Sequence, residues 1–466
     1  MDTRYLAFDL GASSSRAILG TFDGSSMRMH ELHRFKTPLL EEADGLFWDQ
    51  EAIWREIQHG LALARGIAPD FRSVSVDSWG VDYVPMGADG KPLRNAHCYR
   101  DPRTLDIQAA LDQHIPPDAL YATTGIHPME INTLHQVLAD QAQTPEVFTG
   151  TAQRLMIADY FNYRLSGHAV AEVSMASTTQ LMDARTRKWA ANMMQKLGIA
   201  PGSWPPIVSS GTRLDSAEMA VIAGCSHDTA CAVAAVPVAH EETGDWAYLS
   251  CGTWSLLGVE RADPVLTEPA REAGLTNEAG FGDTIRLLTN LTGLWVLQEC
   301  EREWKAEGML FSYADLIGEA AAARPMVPID LNETRFGLRG EMQEKITAYC
   351  GEQGLMPPAS RGEVVRLILE SLADSYRRTI GLIESVTGAE IDTVYIVGGG
   401  SRNALLCQLT ADRCACRVQA GPAEATALGN LLIQAWAMGD IPQGMAIRDV
   451  VRQSTDIQTY TPRTAA

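Results

Sequence analysis

The sequence predicts a two-domain α/β protein, and three observations support this prediction. Segments with strand character alternate with segments of helical periodicity along the chain, which is the pattern of an α/β fold. The chain has 466 residues, whereas a single hydrophobic core stops growing at about 250–300 residues. A unit of strand, small-residue turn and strand occurs at 5–22 and again at 245–260, which suggests two halves built on one plan. We therefore expect one domain over 1–240 and a second over 241–466.

The first half contains the signals of several strands and helices. Apolar residues at helical spacing predict an amphipathic helix over 48–67, with Ile53, Trp54, Ile57 and Leu61 on one face. The other candidates of this half are strands at 5–9, 16–22, 28–36 and within 71–86, helices at 104–114, 134–143 and 154–167, and a strand, turn and apolar helix within 211–238.

The second half opens with the hairpin 245–260 and continues with longer helices. A strand, IDTVYIVGGG, leads through three glycines into the helical segment NALLCQLTADRC, which again is the α/β pattern. The other helix candidates of this half are 292–307, 361–387 and the segment 423–439, which is rich in Ala and Gly.

The composition argues against some functions. The formal net charge is −20 and the isoelectric point is about 4.9, which disfavours binding to nucleic acid or to an anionic membrane surface. The N-terminus lacks the charged and apolar regions of a signal peptide. No apolar run reaches the roughly 18 residues that span a bilayer. We therefore expect a cytoplasmic protein with no nucleic-acid or membrane partner.

The cysteines indicate free thiols. There are nine of them, with irregular spacing and no CxxC pair, so a disulfide framework is not expected. Cys414 and Cys416 are two candidate metal ligands, but no histidine or second cysteine pair lies near them in the sequence. We expect buried free thiols.

The hairpin LAFDLGASSSRAILGTF places one acid beside a turn of small residues. Such a turn exposes backbone N–H groups that suit a phosphate, and small residues allow close approach. Arg16 adds a cationic group. Asp9 suits Mg²⁺, which binds one or two carboxylates together with phosphate oxygens. The alternative is an ordinary hairpin turn with a surface arginine. The candidate phosphate-binding residues are Gly11, Ala12, Ser13, Ser14, Ser15 and Arg16.

Two further segments have phosphate- or nucleotide-binding character. The second hairpin, with the turn SCGTWS at 250–255, repeats the first arrangement without an acid. Two such turns are suited to hold a polyphosphate. The consecutive glycines at 398–400 form neither a GxGxxG motif nor a Walker loop. They either admit a planar group such as adenine or allow tight packing of strand on helix.

Three acids are candidates for catalysis or for sugar binding. Asp228, in GCSHDTACAV, either caps the following helix, as Ser226 would, or accepts the proton of a substrate hydroxyl. Asp77 and Asp82, in VDSWGVDYV, need partners because a buried carboxylate is costly. Those partners are either polyol hydroxyls, with Trp79 as a surface for a sugar, or charged groups of the core. The segment CYRDPRT leaves the same choice between sugar contacts and a protein network.

Nine segments of the chain, taken in this order, resemble the FGGY carbohydrate kinases. They span about residue 5 to 430 and read DLGASSSR, DSWGVDYV, YRDPRT, DYFNYRLSG, ASTTQL, SHDTACAV, SCGTWSLLG, NLTGLWVLQE and GPAEATALGN. The resemblance implies the actin, hexokinase and Hsp70 fold, a two-domain ribonuclease H-like architecture with the active site in the interdomain cleft. It further implies a sugar-binding N-terminal domain and a nucleotide-binding C-terminal domain.

The resemblance also implies roles for single residues. Asp228 is the implied general base, and Asp9 the residue beside the metal. The implied nucleotide contacts are Gly11 to Arg16, Gly252, Thr253, Gln298, Gly399, Gly400 and Asn403. The implied ketose contacts are Gly80, His227, Thr229 and Asn290, to which we add Asp82 and Asp228 as candidates.

Two features depart from the family pattern. Ser15 stands where related kinases often have glycine, a change that keeps a hydrogen-bond donor in the turn. The segment 125–134, where sugar contacts are implied, is unusually polar and carries His127 and Glu130.

The implied reaction is ATP-dependent phosphorylation of a ketose at a primary hydroxyl, with ATP and Mg²⁺ as cofactors. The implied sugar is a deoxyketose, and another deoxyketose or a pentulose is the alternative within the family. A sugar-binding regulator on the same fold is the alternative from another class, but the first strand begins at about residue 5 and leaves no DNA-binding segment before it. A chaperone-type ATPase would need a peptide-binding domain after the nucleotide fold. We expect a kinase of a small-molecule ketose, as a monomer or homodimer.

Overall fold

The structure is a computed structural model that describes residues 2–216, 219–239 and 244–463. Its strands in chain order are β1 (Thr3–Leu10), β2 (Ser14–Phe22), β3 (Met27–Lys36), β4 (Leu39–Glu42), β5 (Gly45–Trp48), β6 (Ser73–Ser78), β7 (Tyr83–Met86), β8 (Gln153–Met156), β9 (Ala171–Glu172), β10 (Met182–Asp183), β11 (Lys188–Trp189), β12 (Ile207–Val208), β13 (Thr212–Arg213), β14 (Ala220–Ala223), β15 (Asp245–Cys251), β16 (Trp254–Arg261), β17 (Thr276–Ala279), β18 (Ile285–Thr292), β19 (Ile391–Val397), β20 (Arg417–Ala420) and β21 (Gln458–Tyr460).

The helices in chain order are α1 (Gln50–Ile67), α2 (Ile107–His114), α3 (Pro117–Thr124), α4 (Thr133–Gln143), α5 (Pro145–Gly150), α6 (Ile157–Ser166), α7 (Val173–Ser177), α8 (Ala191–Lys196), α9 (Asp228–Ala234), α10 (Glu268–Glu272), α11 (Trp295–Ala306), α12 (Tyr313–Ala322), α13 (Thr334–Gly337), α14 (Met342–Glu352), α15 (Arg361–Thr387), α16 (Ala404–Cys414), α17 (Ala425–Ala437) and α18 (Ile447–Ser454). Short 3₁₀ turns occur at Pro102–Thr104, Pro201–Ser203, Phe281–Asp283 and Gly399–Arg402.

The chain forms two compact units that do not follow each other simply along the sequence. The first unit takes Met1–Ala235, Glu260–Leu287 and Ala425–Ser454, and the second takes Val236–Val259, Leu288–Glu424 and Thr455–Ala466. The predicted boundary lies between His240 and Glu241, outside the residues that the structure describes. The division into 1–240 and 241–466 therefore stays a prediction.

One sheet carries the first unit, with its strands in the order β13-β14-β6-β1-β2-β3. Strand β1 is antiparallel to β2 and parallel to β6, and β6 is parallel to β14. All residues of β6 and the last six of β1 are buried, as expected of strands covered on both faces. Because the parallel strands β1, β6 and β14 end at the same edge, the residues that follow them gather there.

The second unit repeats this plan. Its strands lie in the order β18-β16-β15-β19-β20-β21. Strand β15 is antiparallel to β16 and parallel to β19, which is parallel to β20. The strands β16, β15, β19 and β20 therefore correspond to β2, β1, β6 and β14. The two halves follow one plan, as the repeated strand–turn–strand unit predicts.

Local pattern predicts most of the elements near the site but fails for one. Helix α15 has the predicted bounds, and α1 and α4 agree within two residues at each end. The predicted helix 154–167 is wrong at its start, because Gln153–Met156 forms β8 and pairs antiparallel with β7. Pairing between strands so distant in sequence has no effect on local periodicity. Periodicity alone therefore predicts that this buried apolar segment is the first turn of α6.

The thiols agree with the expectation from the sequence. All nine cysteines are free, and all but Cys414 are buried. Within the part of the chain that the structure describes, no helix combines the length and the apolar character needed to cross a membrane.

Candidate active site

The first hairpin makes its tight turn between β1 and β2. A Cβ atom on Gly11 would lie 2.6 Å from the backbone oxygen of Ser14, so only glycine fits there. Residues 11–14 are exposed or half-buried and accessible to a ligand. Ser15 is fully buried, and its Oγ lies 2.8 Å from Oγ1 of Thr37. Its hydroxyl therefore belongs to the protein interior.

Two carboxylates are adjacent at the ends of β1 and β6. Asp9 lies opposite Asp77 in the parallel pairing, and Arg16 donates a hydrogen bond to Oδ2 of Asp9 from the antiparallel side. Asp77 is fully buried, and burial, followed by the nearby Asp9 carboxylate, raises its pKa well above the ordinary value. Oδ2 of Asp77 accepts from Nδ2 of Asn430 at 2.5 Å, whereas Oδ1 has no protein hydrogen-bond partner.

A chain of hydrogen bonds from α17 orients Asn430. Nε2 of Gln434 donates to the backbone oxygen of Leu6 at 2.9 Å and to Oδ1 of Asn430 at 2.7 Å. A backbone oxygen only accepts, so this contact fixes the direction of both amides. Oγ of Ser73 donates to Oε1 of Gln434 at 2.8 Å. Nδ2 of Asn430, the last donor of this series of hydrogen bonds, therefore points at Asp77.

The turn between β14 and α9 holds Ser226, His227 and Asp228. Glu172 accepts from the Ser226 backbone N–H at 2.9 Å, and Asp159 accepts from its Oγ at 2.7 Å. Burial raises the pKa of both acids. The N-cap position of α9 is His227, whose side chain makes no capping hydrogen bond. The capping alternative is wrong for Ser226, whose hydroxyl donates to Asp159, whereas the Asp228 carboxylate accepts from a backbone N–H in the first turn of α9.

Asp228 keeps part of its carboxylate open. Its side chain is 30% exposed, and Nε2 of His227 lies 3.5 Å from its Oδ1. That oxygen accepts from the backbone N–H of Thr229 at 2.6 Å and from its Oγ1 at 3.2 Å. Partial removal from water raises the pKa of Asp228, and the Asp9 carboxylate adds to this effect, while His227 and Thr229 oppose it. A raised pKa makes this carboxylate a stronger base toward a hydroxyl proton.

Glu278 and Arg286 form a buried pair against His227. Nη2 of Arg286 lies 2.9 Å from Oε2 of Glu278 and 3.1 Å from Nδ1 of His227. Burial alone would raise the pKa of Glu278, but Arg286, with His227, outweighs burial and lowers it. Sequence reasoning missed both residues. The available signal was the single arginine in the otherwise uncharged segment IRLLTN.

Gly80 lies beside the imidazole of His227. A Cβ atom on Gly80 would lie 3.2 Å from the side chain of Thr178 and 3.4 Å from Nε2 of His227. A glycine here therefore keeps the space beside this nitrogen open. The next residue, Val81, has a φ of 67°, which is strained for a β-branched side chain. Strain of this kind concentrates at ligand-binding sites. The structure thus brings two predicted ketose contacts, Gly80 and His227, together.

Asp82 is fully buried, and the protein already satisfies its carboxylate. Oδ2 accepts from Nε1 of Trp48 at 2.6 Å, from Nε1 of Trp79 at 2.9 Å and from the Tyr99 backbone at 3.2 Å. Oδ1 accepts from Nε2 of Gln136 at 2.8 Å. Burial raises the pKa of Asp82 to about 6 against the effect of these donors. A direct sugar contact by Asp82 stays a prediction.

The CYRDPRT segment forms a network within the protein. Arg103 donates to Asp140, which also accepts from Arg94 at 2.6 Å. Asp101 accepts from the backbone N–H of Leu46 at 2.6 Å. Of the two alternatives for this segment, the protein network is the one that these contacts support.

The polar segment 125–134 contains one buried donor or acceptor without a partner. His127 is half-buried, Nδ1 of its ring has no protein hydrogen-bond partner, and burial lowers its pKa. Glu130 is exposed. His127 is therefore the better placed of the two for a ligand contact.

In the second unit, the turn between β15 and β16 holds Gly252 and Thr253. Oγ1 of Thr253 lies 3.1 Å from Oε1 of Gln298, so two predicted nucleotide contacts are neighbours. The backbone N–H of Leu294 donates to the Gly252 oxygen at 2.8 Å and ties the start of α11 to the turn. A Cβ atom on Gly252 would meet no neighbour closer than 3.9 Å, so its backbone is open to a ligand.

The three glycines after β19 have different surroundings. Gly398 has a φ of 81°, in the left-handed region. A Cβ atom on Gly400 would lie 2.2 Å from Sγ of Cys251, so packing requires glycine there. No neighbouring atom lies within 4 Å of a Cβ atom on Gly399. Packing thus accounts for Gly400 and leaves Gly399 open to a planar group.

Two predicted contacts are asparagines of the second unit. Asn403 caps α16, with its Oδ1 accepting from the Leu406 backbone and its Nδ2 donating to the Tyr313 hydroxyl, both at 3.0 Å. Asn290 is half-buried on β18. It belongs to the second unit, whereas Gly80, His227 and Thr229 belong to the first.

The acids of the first unit fit a magnesium ion that arrives with a phosphate ligand. No group of three or more His, Cys, Asp or Glu side chains among the described residues is arranged to hold a metal ion. Asp9 and Asp77 are nevertheless adjacent, and Oδ1 of Asp77 is an unused acceptor. This donor set suits Mg²⁺, which takes one or two carboxylates and completes its shell with phosphate oxygens and water. The bound ion would neutralise phosphate charge.

Comparison with protein families identifies the class of this protein. The models of the N-terminal and C-terminal domains of the FGGY family of carbohydrate kinases match residues 4–236 and 247–438. These ranges cover most of the chain, which therefore belongs to the FGGY family of carbohydrate kinases. The predicted resemblance and the enzyme class are confirmed.

Individual relatives extend this result. The rhamnulokinase of Bacteroides thetaiotaomicron is 36% identical over 478 aligned residues, covering 100% of this chain and 97% of that protein. The rhamnulokinase of Pectobacterium atrosepticum is 39% identical over 471 residues, covering 98% and 93%. The crystal structure of the xylulose kinase of Rhodospirillum rubrum superposes with a TM-score of 0.79 at 19% identity, covering 99% and 94%. The last comparison confirms the predicted sugar-kinase fold.

Proposed function

We propose that this chain is an ATP-dependent kinase that phosphorylates L-rhamnulose at its primary hydroxyl and forms L-rhamnulose 1-phosphate. Relatives named rhamnulokinase match it over nearly its whole length and support this substrate. The observation that carries the reaction is Asp228. Its partly exposed carboxylate begins α9 and lies within electrostatic range of Asp9 and Asp77.

The acceptor side of the reaction belongs to the first unit. Asp228 accepts the proton of the primary hydroxyl while that oxygen attacks the γ-phosphate. Phosphoryl transfer asks mainly for orientation and charge stabilisation, so a carboxylate with a raised pKa is a sufficient base. The residues of this unit that contact the ketose are Gly80, His227 and Thr229. Asn290, the other predicted ketose contact, belongs to the second unit. Asp82 supports this region by fixing Trp79 and Gln136.

Each unit offers a turn suited to a phosphate donor. In the first unit, Gly11–Arg16 offers backbone N–H groups and a guanidinium, and Asp9 would hold the magnesium ion. In the second unit, Gly252, Thr253 and Gln298 offer uncharged polar groups, which suit phosphates that already carry a metal. Gly399, Gly400 and Asn403 form the adenosine side, where Gly399 leaves room for the base.

A coupled assay of ADP release tests the proposal. The full chain is assayed with ATP and Mg²⁺ on L-rhamnulose, L-fuculose, L-ribulose, D-xylulose, L-xylulose and glycerol. We expect the highest kcat/KM with L-rhamnulose. A higher kcat/KM with another ketose would support the kinase assignment but not L-rhamnulose as the substrate. Residues such as His127 would then be the candidates that determine the sugar specificity. Absence of turnover on every sugar would favour a sugar-binding regulator.

Substitution of the base tests the mechanism. Asp228→Asn is expected to lower kcat by about 100-fold or more, because a positioned general base contributes about 10²–10⁴. Asp283→Asn is the control, since the Asp283 side chain is 86% exposed in the same unit and is expected to keep full activity. Retention of more than about a tenth of kcat by Asp228→Asn would contradict the assignment of the base. The cytoplasmic location and the monomeric or homodimeric state stay predictions.

A further inference from the structure

The two ring nitrogens of His227 have different surroundings. Nδ1 lies 3.1 Å from Nη2 of Arg286 and 3.3 Å from Oε2 of Glu278. Nε2 lies 3.5 Å from Oδ1 of Asp228 and next to the space that Gly80 keeps open. One nitrogen therefore faces a buried ion pair, and the other faces the general base and the open space.

Arg286 determines where the imidazole carries its proton. A guanidinium donates hydrogen bonds, never accepts them, and stays protonated in proteins. Nδ1 of His227 meets hydrogen-bond geometry with Nη2 of Arg286 at 3.1 Å, whereas Oε2 of Glu278, 3.3 Å from Nδ1, has no hydrogen-bond partner. This geometry favours a lone pair on Nδ1 that accepts from Arg286. A neutral imidazole with a free lone pair on Nδ1 carries its hydrogen on Nε2.

The surroundings of Arg286 hold it in this position. Its side chain is completely buried, and that of Glu278 is 9% exposed. Nε of Arg286 donates to the backbone oxygen of Ala279 at 3.2 Å, and Nη2 lies 2.9 Å from Oε2 of Glu278. Breaking a buried ion pair leaves an uncompensated charge, which is strongly unfavourable. The guanidinium therefore cannot turn away from His227 at low cost.

We propose that Arg286 and Glu278 are positioning residues that hold His227 as the neutral tautomer with its hydrogen on Nε2. Nε2–H is then a permanent hydrogen-bond donor beside Asp228. The imidazole does not compete with Asp228 for the substrate proton, because its only lone pair is engaged by Arg286. The inference rests on the proposed function only in naming a ketose oxygen as the acceptor of this hydrogen bond.

The tautomer can be measured directly on the full-length protein. The histidines are labelled with ¹⁵N, and long-range ¹H–¹⁵N correlation spectra report which ring nitrogen is protonated. The signals of His227 are identified by their loss in His227→Gln. We expect a protonated Nε2 and an unprotonated Nδ1 at neutral pH. A proton on Nδ1, or on both nitrogens, would overturn the inference without any activity measurement.

Removal of the ion pair tests its role. The double variant Arg286→Met/Glu278→Gln keeps the net charge, removes the guanidinium donor and leaves an amide oxygen that can accept from Nδ1. We expect the His227 signals to shift toward a protonated Nδ1. The control is Arg366→Met/Glu370→Gln, which removes a 2.8 Å Arg–Glu pair of the second unit and is expected to leave these signals unchanged.

The single variant Glu278→Gln separates the roles of the two residues, and the wild-type spectra still decide the tautomer if either variant does not fold. It keeps the Arg286 donor and is expected to keep the wild-type tautomer of His227. An unchanged tautomer in the folded double variant, or a switched one in Glu278→Gln, would contradict the role assigned to Arg286.

Kinetics connect the tautomer to the substrate. Glutamine places its amide N–H near the position of Nε2, and asparagine places it near Nδ1. His227→Gln is therefore expected to keep about tenfold more kcat/KM for L-rhamnulose than His227→Asn, the difference made by one hydrogen bond. Arg286→Met/Glu278→Gln is expected to raise KM for the ketose about tenfold and to change kcat less. Equal losses in the two histidine variants would overturn the donor role.

Failure of the inference and failure of the proposed function give different results. If the wild-type chain turns over no ketose, the proposed function fails, and the spectra still decide the tautomer. If the wild-type chain phosphorylates a ketose but His227 carries its hydrogen on Nδ1, only the inference fails.

Discussion

The two hairpins share one topology but differ in chemistry. In each unit a central strand lies between an antiparallel and a parallel neighbour, β1 between β2 and β6, and β15 between β16 and β19. At corresponding positions of the two parallel pairs, Asp9 lies opposite Asp77 in the first unit, and Ser250 lies opposite Val397 in the second. In both units the turn follows two residues later.

This difference separates what the fold determines from what the side chains determine. The repeated plan places a tight turn at the end of the central strand in both units. Only the first unit adds a pair of carboxylates and an arginine, which suit a metal ion and proton transfer. The second adds Thr253 and Gln298, which are uncharged. Substitutions at equivalent positions of the two hairpins therefore measure the contribution of charge.

Substitution of the acid in the first hairpin should give the largest effect. Asp9→Asn removes the carboxylate assigned to magnesium and the ion pair between that carboxylate and Arg16. Loss of metal-assisted charge stabilisation, which is worth several kcal/mol, corresponds to a fall in kcat of about 100-fold or more, together with a higher Mg²⁺ requirement. The matched substitution Ser250→Ala should change both values less than about threefold. A similar loss in both variants, measured in Mg²⁺ titrations of ADP release, would contradict the assignment of charge to one hairpin.

The glycines after β19 should separate packing from ligand access. Gly400→Ala places a methyl group against Sγ of Cys251, and overpacking of this kind costs about 1–3 kcal/mol. The thermal unfolding midpoint should fall by about 5 °C. Gly399→Ala meets no neighbour and should leave that midpoint unchanged while raising KM for ATP. Calorimetry with ATP kinetics checks both, and an unfolding midpoint lowered equally by the two variants would refute the difference.

The hydroxyls of the two hairpins should differ in their effect on ATP binding. Thr253→Val removes a hydroxyl at an exposed turn and should raise KM for ATP about tenfold, the value of one lost hydrogen bond. Ser15→Ala removes a hydroxyl that faces Thr37 in the interior and should change KM less than about twofold. Steady-state kinetics at saturating ketose would decide, and a larger KM effect from Ser15→Ala would mean that its hydroxyl reaches the nucleotide.

The pH dependence of kcat/KM should show the smallest effect. The proposed mechanism requires ionised Asp228, and the pKa of this carboxyl is raised, so activity should fall on acidification around a pKa above the ordinary value of about 3.9. Asp9 is one of the groups that raises this pKa, so Asp9→Asn should move the acidic limb to lower pH. Ser250→Ala should leave it in place. An acidic limb that does not move in Asp9→Asn would argue that Asp228 is not the titrating base.

Sequence reasoning succeeded for features that a short, continuous segment of sequence determines. The hairpins, the long helix α15 and the turn around Asp228 all follow from local patterns of small, apolar and acidic residues. The family resemblance supplied roles for single residues, but the structure adds restrictions. The Ser15 hydroxyl faces the interior, and Asp82 has no free oxygen.

The features that sequence reasoning missed depend on contacts between distant segments. Arg286 contacts His227 across 59 positions of the chain, and Asn430 contacts Asp77 across 353. Neither pair leaves a signal in helical or strand periodicity, because periodicity indicates which face of an element is buried and not which distant residue contacts it. A lone buried charge in a predicted strand signals only that a partner exists. Only the folded chain identifies the partner.

The place of α17 in the first unit has a consequence for the synthesis of this protein. Gln434 donates to the backbone oxygen of Leu6 across 428 positions, and a Cβ atom on Gly429 would lie 1.9 Å from the backbone oxygen of Cys231. A ribosome adds about 5–20 residues per second, so roughly 20–90 s separate the appearance of Leu6 from that of its partner. During this interval the nascent first unit lacks the helix that covers its central strand. The growing chain should therefore be a client of ribosome-associated chaperones until α17 has been synthesised.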